Sequence, residues 1–103
     1  MASLWNVRTR AGARRQLRQL DENVRLEAVQ TIAELTEDPF PTGFVQMEGY
    51  SDLYRVRFCG DRYRIVYQVK PKTRLVVIAH VGPRDTVYQH LRKPGAKRRR
   101  STP

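Results

Sequence analysis

Tyr63-Arg64-Ile65-Val66-Tyr67-Gln68-Val69 is the stretch on which the fold turns. β-Branched and aromatic residues fill it. Tyr63, Ile65, Tyr67 and Val69 lie on one side of a period-2 alternation, the pattern of a strand with one core face. Upstream, Tyr54, Val56 and Phe58 alternate with Arg55 and Arg57 in the same way, and Gly60-Asp61 supplies the turn between the two runs. Downstream, Pro71-Lys72-Thr73 turns the chain into Leu75-Val76-Val77-Ile78-Ala79-His80-Val81, apolar on both faces and so expected inside the sheet. Connections this short favour an antiparallel meander.

Before the meander the period changes. Leu4 to Arg8 is a short strand candidate, and Thr9 is a candidate N-cap for a helix in which Ala13, Leu17 and Leu20 recur at helical spacing. Asp21 is placed to cap a second helix, with Val24, Ala28, Ile32 and Leu35 on one stripe. Asp38-Pro39-Phe40-Pro41-Thr42-Gly43 ends it, because neither proline fits a helix interior. Two helices joined so closely form an antiparallel hairpin. Gly82-Pro83 breaks the last strand, and Pro83 suits the first turn of a helix from about Arg84 to Leu91. The expected fold class is α+β: an N-terminal strand, a helical hairpin packed on a small antiparallel sheet, and a short C-terminal helix. Residues 1–92 form the one expected domain. Residues 93–103, with Lys93 and the run Lys97 to Arg100, form a basic tail expected to be disordered.

The chain has 103 residues, 40% hydrophobic, with a net charge of +10. That composition excludes collagen-like and wholly disordered chains. No apolar run is long enough for a membrane helix, and Met1 to Trp5 lacks the apolar stretch of a signal peptide, so a cytoplasmic location is expected. Cys59 is the single cysteine, which excludes an internal disulfide and a Cys-rich zinc site. The charge is segregated. Residues 1–20 hold five arginines and no acid, whereas residues 21–38 set Arg25 against six acids. Nine cations against Asp61 and Asp85 follow in residues 53–92. Such a chain suits a polyanionic partner on one surface and not on the other.

Alternation sends Arg55 and Arg57 to the face opposite Val56, and Arg62, Arg64 and Gln68 to the face opposite Ile65. If the helices cover the aromatic side, Arg55, Arg57, Arg62 and Arg64 share the open face, and Arg84 and Tyr88, four residues apart, can join them. Read one at a time, these arginines only solvate a sheet. Gathered without carboxylates they repel one another unless an anion sits among them. Trp5, Tyr54, Phe58, Tyr63 and Tyr67 are core candidates rather than base-stacking platforms. His90 has no ligand-spaced partner, so neither a metal nor another cofactor is expected.

The segments Leu53-Tyr54-Arg55-Val56-Arg57-Phe58, Tyr63 to Val69 and Val81-Gly82-Pro83-Arg84-Asp85-Thr86-Val87-Tyr88 resemble the RelE/ParE superfamily of bacterial toxins, and most of all its RelE branch. The resemblance spans roughly residues 4–92. It implies the fold just outlined, cleavage of messenger RNA on the translating ribosome, and a neutralising antitoxin as partner. It also implies that Arg64 and Arg84 handle phosphate, and that Tyr88 matches the branch's C-terminal tyrosine. Arg55 and Arg57 stand where the branch usually carries lysines. Arginine cannot serve as a general base, so any such role of a lysine is not transferable.

The chemistry needs only these parts. RNA supplies its own nucleophile, the 2′-OH, and cationic donors stabilise the phosphorane. Tyr88 is the candidate base, its phenol pKa lowered by nearby positive charge. His80 is the rival base, or else a packed strand-end histidine. The basic tail adds salt-sensitive affinity for ribosomal RNA or remains a solvated segment. The other branch of the superfamily, a non-enzymatic inhibitor of DNA gyrase, is the alternative, and a binder without nuclease activity is a third.

Overall fold

A computed structural model describes residues 4–87. The elements run β1 (Asn6–Thr9), α1 (Ala11–Gln19), α2 (Glu22–Glu37), β2 (Val45–Gln46), β3 (Leu53–Phe58), β4 (Tyr63–Lys70) and β5 (Leu75–Pro83). They form one five-stranded sheet in the order β1-β5-β4-β3-β2. The expected α+β architecture is the one observed.

Alternation in β3 and β4 does what the residue types require. Val56, Phe58, Ile65, Tyr67 and Val69 are buried with Ala13 of α1 and Ala28 and Leu35 of α2, and β5 adds Val76, Ile78 and Val81. Both helices lie on this one face. The Tyr67 hydroxyl, fully buried, donates to the Pro39 carbonyl at 2.7 Å and so ties the chain leaving α2 to the middle strand. Burial pushes its pKa upward, with Tyr54 and Asp38 adding to the shift, which keeps the phenol a neutral donor.

Several local expectations are corrected. The antiparallel meander holds for β2 to β5, but β1 pairs parallel with β5, Val7 opposite Val76. α2 ends beside the start of β1, where the Trp5 amide donates to the Thr36 carbonyl at 2.7 Å, so β3 sets off in the direction of β1 and β5, two reversals later, does the same. The first strand begins at Asn6 rather than Leu4. Thr9 is its last residue, leaving Arg10 as the N-cap of α1. Asp21 does stand at the N-cap of α2, yet its side chain makes no capping bond. β2 was not anticipated, because two exposed residues carry no periodicity. Residues 84–86 form a turn, with the Thr86 amide donating to the Pro83 carbonyl at 3.1 Å. The rest of the expected C-terminal helix, Tyr88, His90 and the 93–103 tail lie outside the described residues.

Candidate anion-binding site

The sheet face away from the helices carries the candidate residues in rows set by strand register. Arg57 of β3 lies opposite Arg64 of β4, which lies opposite Gly82 of β5. The next row, about 7 Å further along the strands, is Arg55, Val66 and His80. A register shift between Val66 and Tyr67 lets β5 carry one extra residue, Ala79, and so puts His80 on this face.

This face is not open as expected. Leu53, Val66 and Val87 form a small second core on it, with Met47 and Tyr50 packed against them. A Cβ on Gly82 would lie 3.8 Å from that of Val87, so the chain after β5 crosses back over the sheet here. Removing Val66 and Val87 from water is the driving force. The cover separates the rows: Arg57, Arg64 and Arg84 gather at the β3–β4 turn, while Arg55 and His80 flank Val66. His80 also borders a crevice of about 590 Å³ between α1 and the end of β5, where Gln16 accepts a hydrogen bond from the Val81 amide at 2.9 Å.

The three gathered arginines do not meet in the absence of a carboxylate. Asp61 sits among them. Its Oδ1 lies 2.9 Å from Arg64 Nη1 and 3.3 Å from Arg57 Nη1, and its Oδ2 lies 2.8 Å from Arg84 Nη1. Arg64 Nη1 also donates to the Asp61 carbonyl at 2.9 Å. The backbone explains the placement. Cys59 and Gly60 are both left-handed, with φ of 54° and 67°, and the Cys59 amide donates to Glu27 Oε2 at 2.9 Å, which anchors the turn to α2. Two such residues in succession reverse the chain tightly and return Asp61 over the arginine row. From the other side, the Arg84 amide donates to the Arg62 carbonyl at 2.9 Å.

Electrostatics follow from this geometry. Partial desolvation raises the Asp61 pKa. The charge of Arg64, hydrogen bonds from Arg84 and Arg64, and the charge of Arg57 outweigh it, and the net shift is downward. Asp85 Oδ1 lies 3.6 Å from Arg84 Nε, so two carboxylates stand against three guanidiniums, which still leaves a surplus of positive charge. Arg57 and Arg84 remain 57% and 54% exposed at the side chain, while Arg64 is only 9% exposed. Arg64 Nε is buried with no hydrogen-bond partner. A depression of about 280 Å³ beside the cluster is lined by Asp61, Arg62, Pro83, Arg84 and Asp85. Such a cluster can take up a compact oxyanion with several acceptor oxygens.

Sequence reasoning therefore placed Arg57, Arg64 and Arg84 near one another but missed Asp61, which it used only as a turn residue. Gln68 was anticipated on this face. Its amide donates to Asp52 Oδ2 at 2.9 Å and accepts from Arg10 Nη2 at 3.3 Å, a link away from the cluster.

Comparison with known proteins agrees with the fold. A family model described as the ParE toxin of type II toxin-antitoxin systems, parDE, matches residues 7–88. The toxin of the intact Escherichia coli RelBE complex superposes with a TM-score of 0.67 at 26% identity, over 76% of this chain and 94% of that one. The isolated E. coli RelE toxin gives 0.68 at 26% identity, over 91% and 97%. An archaeal RelE–RelB complex from Pyrococcus horikoshii OT3 gives 0.67 at 27% identity, over 82% and 97%. No curated protein sequence matches the chain.

Proposed function

Because this chain belongs to the ParE toxin family of type II toxin-antitoxin systems, within the RelE/ParE superfamily, we propose that it acts as a RelE-like endonuclease that cuts messenger RNA on the translating ribosome. One observation carries the reading: guanidiniums from β3, β4 and the segment after β5 meet on a single acidic group. A cationic cluster of that kind stabilises a dianionic phosphorane. Likeness to RelE structures supports the choice of branch.

In the proposed reaction the 2′-oxygen attacks the adjacent phosphorus, the P–O5′ bond breaks and the departing 5′-oxygen takes a proton from water, leaving a 2′,3′-cyclic phosphate and a 5′-OH. Arg64 and Arg84 hold the phosphate oxygens as negative charge accumulates. Arg57, on the same row, adds positive charge, and Arg55 contacts the flanking backbone. Tyr88 takes the 2′-OH proton, with His80 as the rival base. Because the nucleophile belongs to the substrate, the reaction asks for neither a metal nor a cofactor. Its site of action would be the bacterial cytoplasm. Among the described residues no helix is long and apolar enough to cross a membrane.

The partner expected from the RelB-bound neighbours is a cognate antitoxin. A segment that folds on this domain would neutralise it by covering the arginines. At a net charge of +10, association with ribosomal RNA or an acidic antitoxin should weaken as salt rises.

The family model is described as a ParE toxin, which keeps a second reading, a gyrase inhibitor without catalysis. Primer extension on messenger RNA, with and without translating ribosomes, tests the first. Ribosome-dependent cuts support it. Gyrase-linked DNA breaks without such cuts would replace it with the second.

A further inference from the structure

The arginine cluster is already occupied, and by a group of this chain. We infer that the Asp61 carboxylate is a built-in counter-anion, standing where a phosphate group of RNA must stand and leaving when it arrives. The inference rests on the proposed use of Arg57, Arg64 and Arg84 as a phosphate site, and it assigns Asp61 a role in tuning that site.

Three observations lead there. First, Asp61 brings together groups that would otherwise separate. Arg57 and Arg64 lie directly opposite on neighbouring strands, where like charges repel, and Arg84 approaches from a different segment. Both carboxylate oxygens are engaged, at 2.8 to 3.3 Å. The guanidiniums are thus held close to the geometry an oxyanion needs.

Second, the fit is incomplete in a way a larger oxyanion would correct. Arg64 uses Nη1 alone toward Asp61, for both the carbonyl and the carboxylate. Its Nε is buried without a partner. A guanidinium satisfied through its fork binds with Nε and an Nη together. Three guanidiniums share the two carboxylate oxygens, and neither oxygen is placed to accept from Nε. A phosphate offers further acceptor oxygens. The orphaned donor, on a side chain more than nine-tenths buried, is the feature a purely structural ion cluster would not retain.

Third, Asp61 can leave cheaply. Its side chain is 46% exposed, so water can solvate it as it withdraws. It sits on a turn, next to Cys59 and Gly60, rather than inside a strand ladder. Asp61 therefore acts through the arginines and need not touch the substrate. It keeps them ordered until an anion arrives and sets a threshold that only a more highly charged or better-fitting anion passes.

The test uses the full chain and inorganic pyrophosphate, a probe that needs neither ribosome nor cleavage. Wild type and Asp61→Asn are titrated and followed through the arginine Nε–H and aspartate carboxyl-carbon resonances. Asp61→Asn, nearly isosteric but uncharged, should bind pyrophosphate at least tenfold more tightly. In the wild type, the Asp61 carboxyl resonance should move toward its free position at saturation while Arg64 Nε–H shifts as it gains an acceptor. Equal or weaker binding by Asp61→Asn overturns the inference. So does an Asp61 resonance that stays put at saturation, or a failure of either form to bind. Should Asp61→Asn not fold, the wild-type titration decides alone. A chain that never cuts RNA but passes this test removes the nuclease reading and leaves the counter-anion role standing. A chain that cuts RNA and fails it loses only the role of Asp61.

Discussion

Replacing Arg64 by lysine should separate catalysis from stability. The side chain is 9% exposed, and Nη1 makes both of its close contacts, 2.9 Å to the Asp61 carbonyl and 2.9 Å to Oδ1. Lysine keeps the charge but ends one bond short and offers a compact ammonium in place of a planar fork. It also removes the buried Nε that has no partner, so part of the lost bonding is offset. A net cost of about 1 kcal/mol is expected, the size of one ordinary hydrogen bond, and a fall in Tm of roughly 4–8 °C for a domain this small. Since folded domains hold about 5–15 kcal/mol in reserve, the variant stays folded under assay conditions. The effect on cleavage should be larger. Losing one preorganised donor to a developing oxyanion costs about 10²–10³ in rate, or roughly 2.7–4 kcal/mol. The assay is single-turnover cleavage on translating ribosomes beside a urea unfolding curve on the same preparation. Cleavage within threefold of wild type, or a loss explained by the unfolded fraction, would refute the phosphate-handling role of Arg64.

Tyr67→Phe should cost about 1–2 kcal/mol in chemical denaturation, because it leaves the Pro39 carbonyl without the 2.7 Å donor from a fully buried hydroxyl. An unchanged midpoint would mean that the segment after α2 is held by other contacts. The Asp61 cluster makes stability depend on acid. The folded carboxyl pKa lies below its ordinary value, so the folded state favours the ionised form. That contribution is present in full above about pH 5 and is lost as pH falls below about 4, through the depressed folded pKa. The stability difference between wild type and Asp61→Asn should therefore be flat near neutrality and shrink in acid, as urea midpoints across pH will show. Tyr88→Phe should slow cleavage at least about 10²-fold if the phenol moves the proton, and an unaltered rate would remove Tyr88 from the mechanism.

How much of this could be seen without coordinates varies by element. Residues 54–81 declared three strands and their core face, because period-2 alternation of Tyr54, Val56 and Phe58, and of Ile65, Tyr67 and Val69, reports burial directly. The helices were legible for the same reason, through Ala13, Ala28 and Leu35. Burial patterns say which side of a strand faces the core. They do not say which strand lies beside it or in which direction, so the parallel pairing of β1 with β5 stayed hidden. β2, too short for any period, stayed hidden as well.

The site divides along the same line. Composition and alternation put Arg55, Arg57 and Arg64 on one face, since side-chain direction along a strand is a local property. Which of them meet was decided by tertiary structure. Register set Arg57 against Arg64, the small core around Val66 and Val87 divided the face, and the return of the chain after β5 brought Arg84 to a carboxylate 23 residues earlier. Asp61 illustrates the physical reason most directly. In the sequence it is one polar residue after a glycine. It becomes the centre of three guanidiniums only because two left-handed residues before it reverse the chain over a row of charges assembled from distant segments. Short-range propensity and burial are written along the chain, whereas the meeting of charges depends on distances that exist only after the sheet has closed.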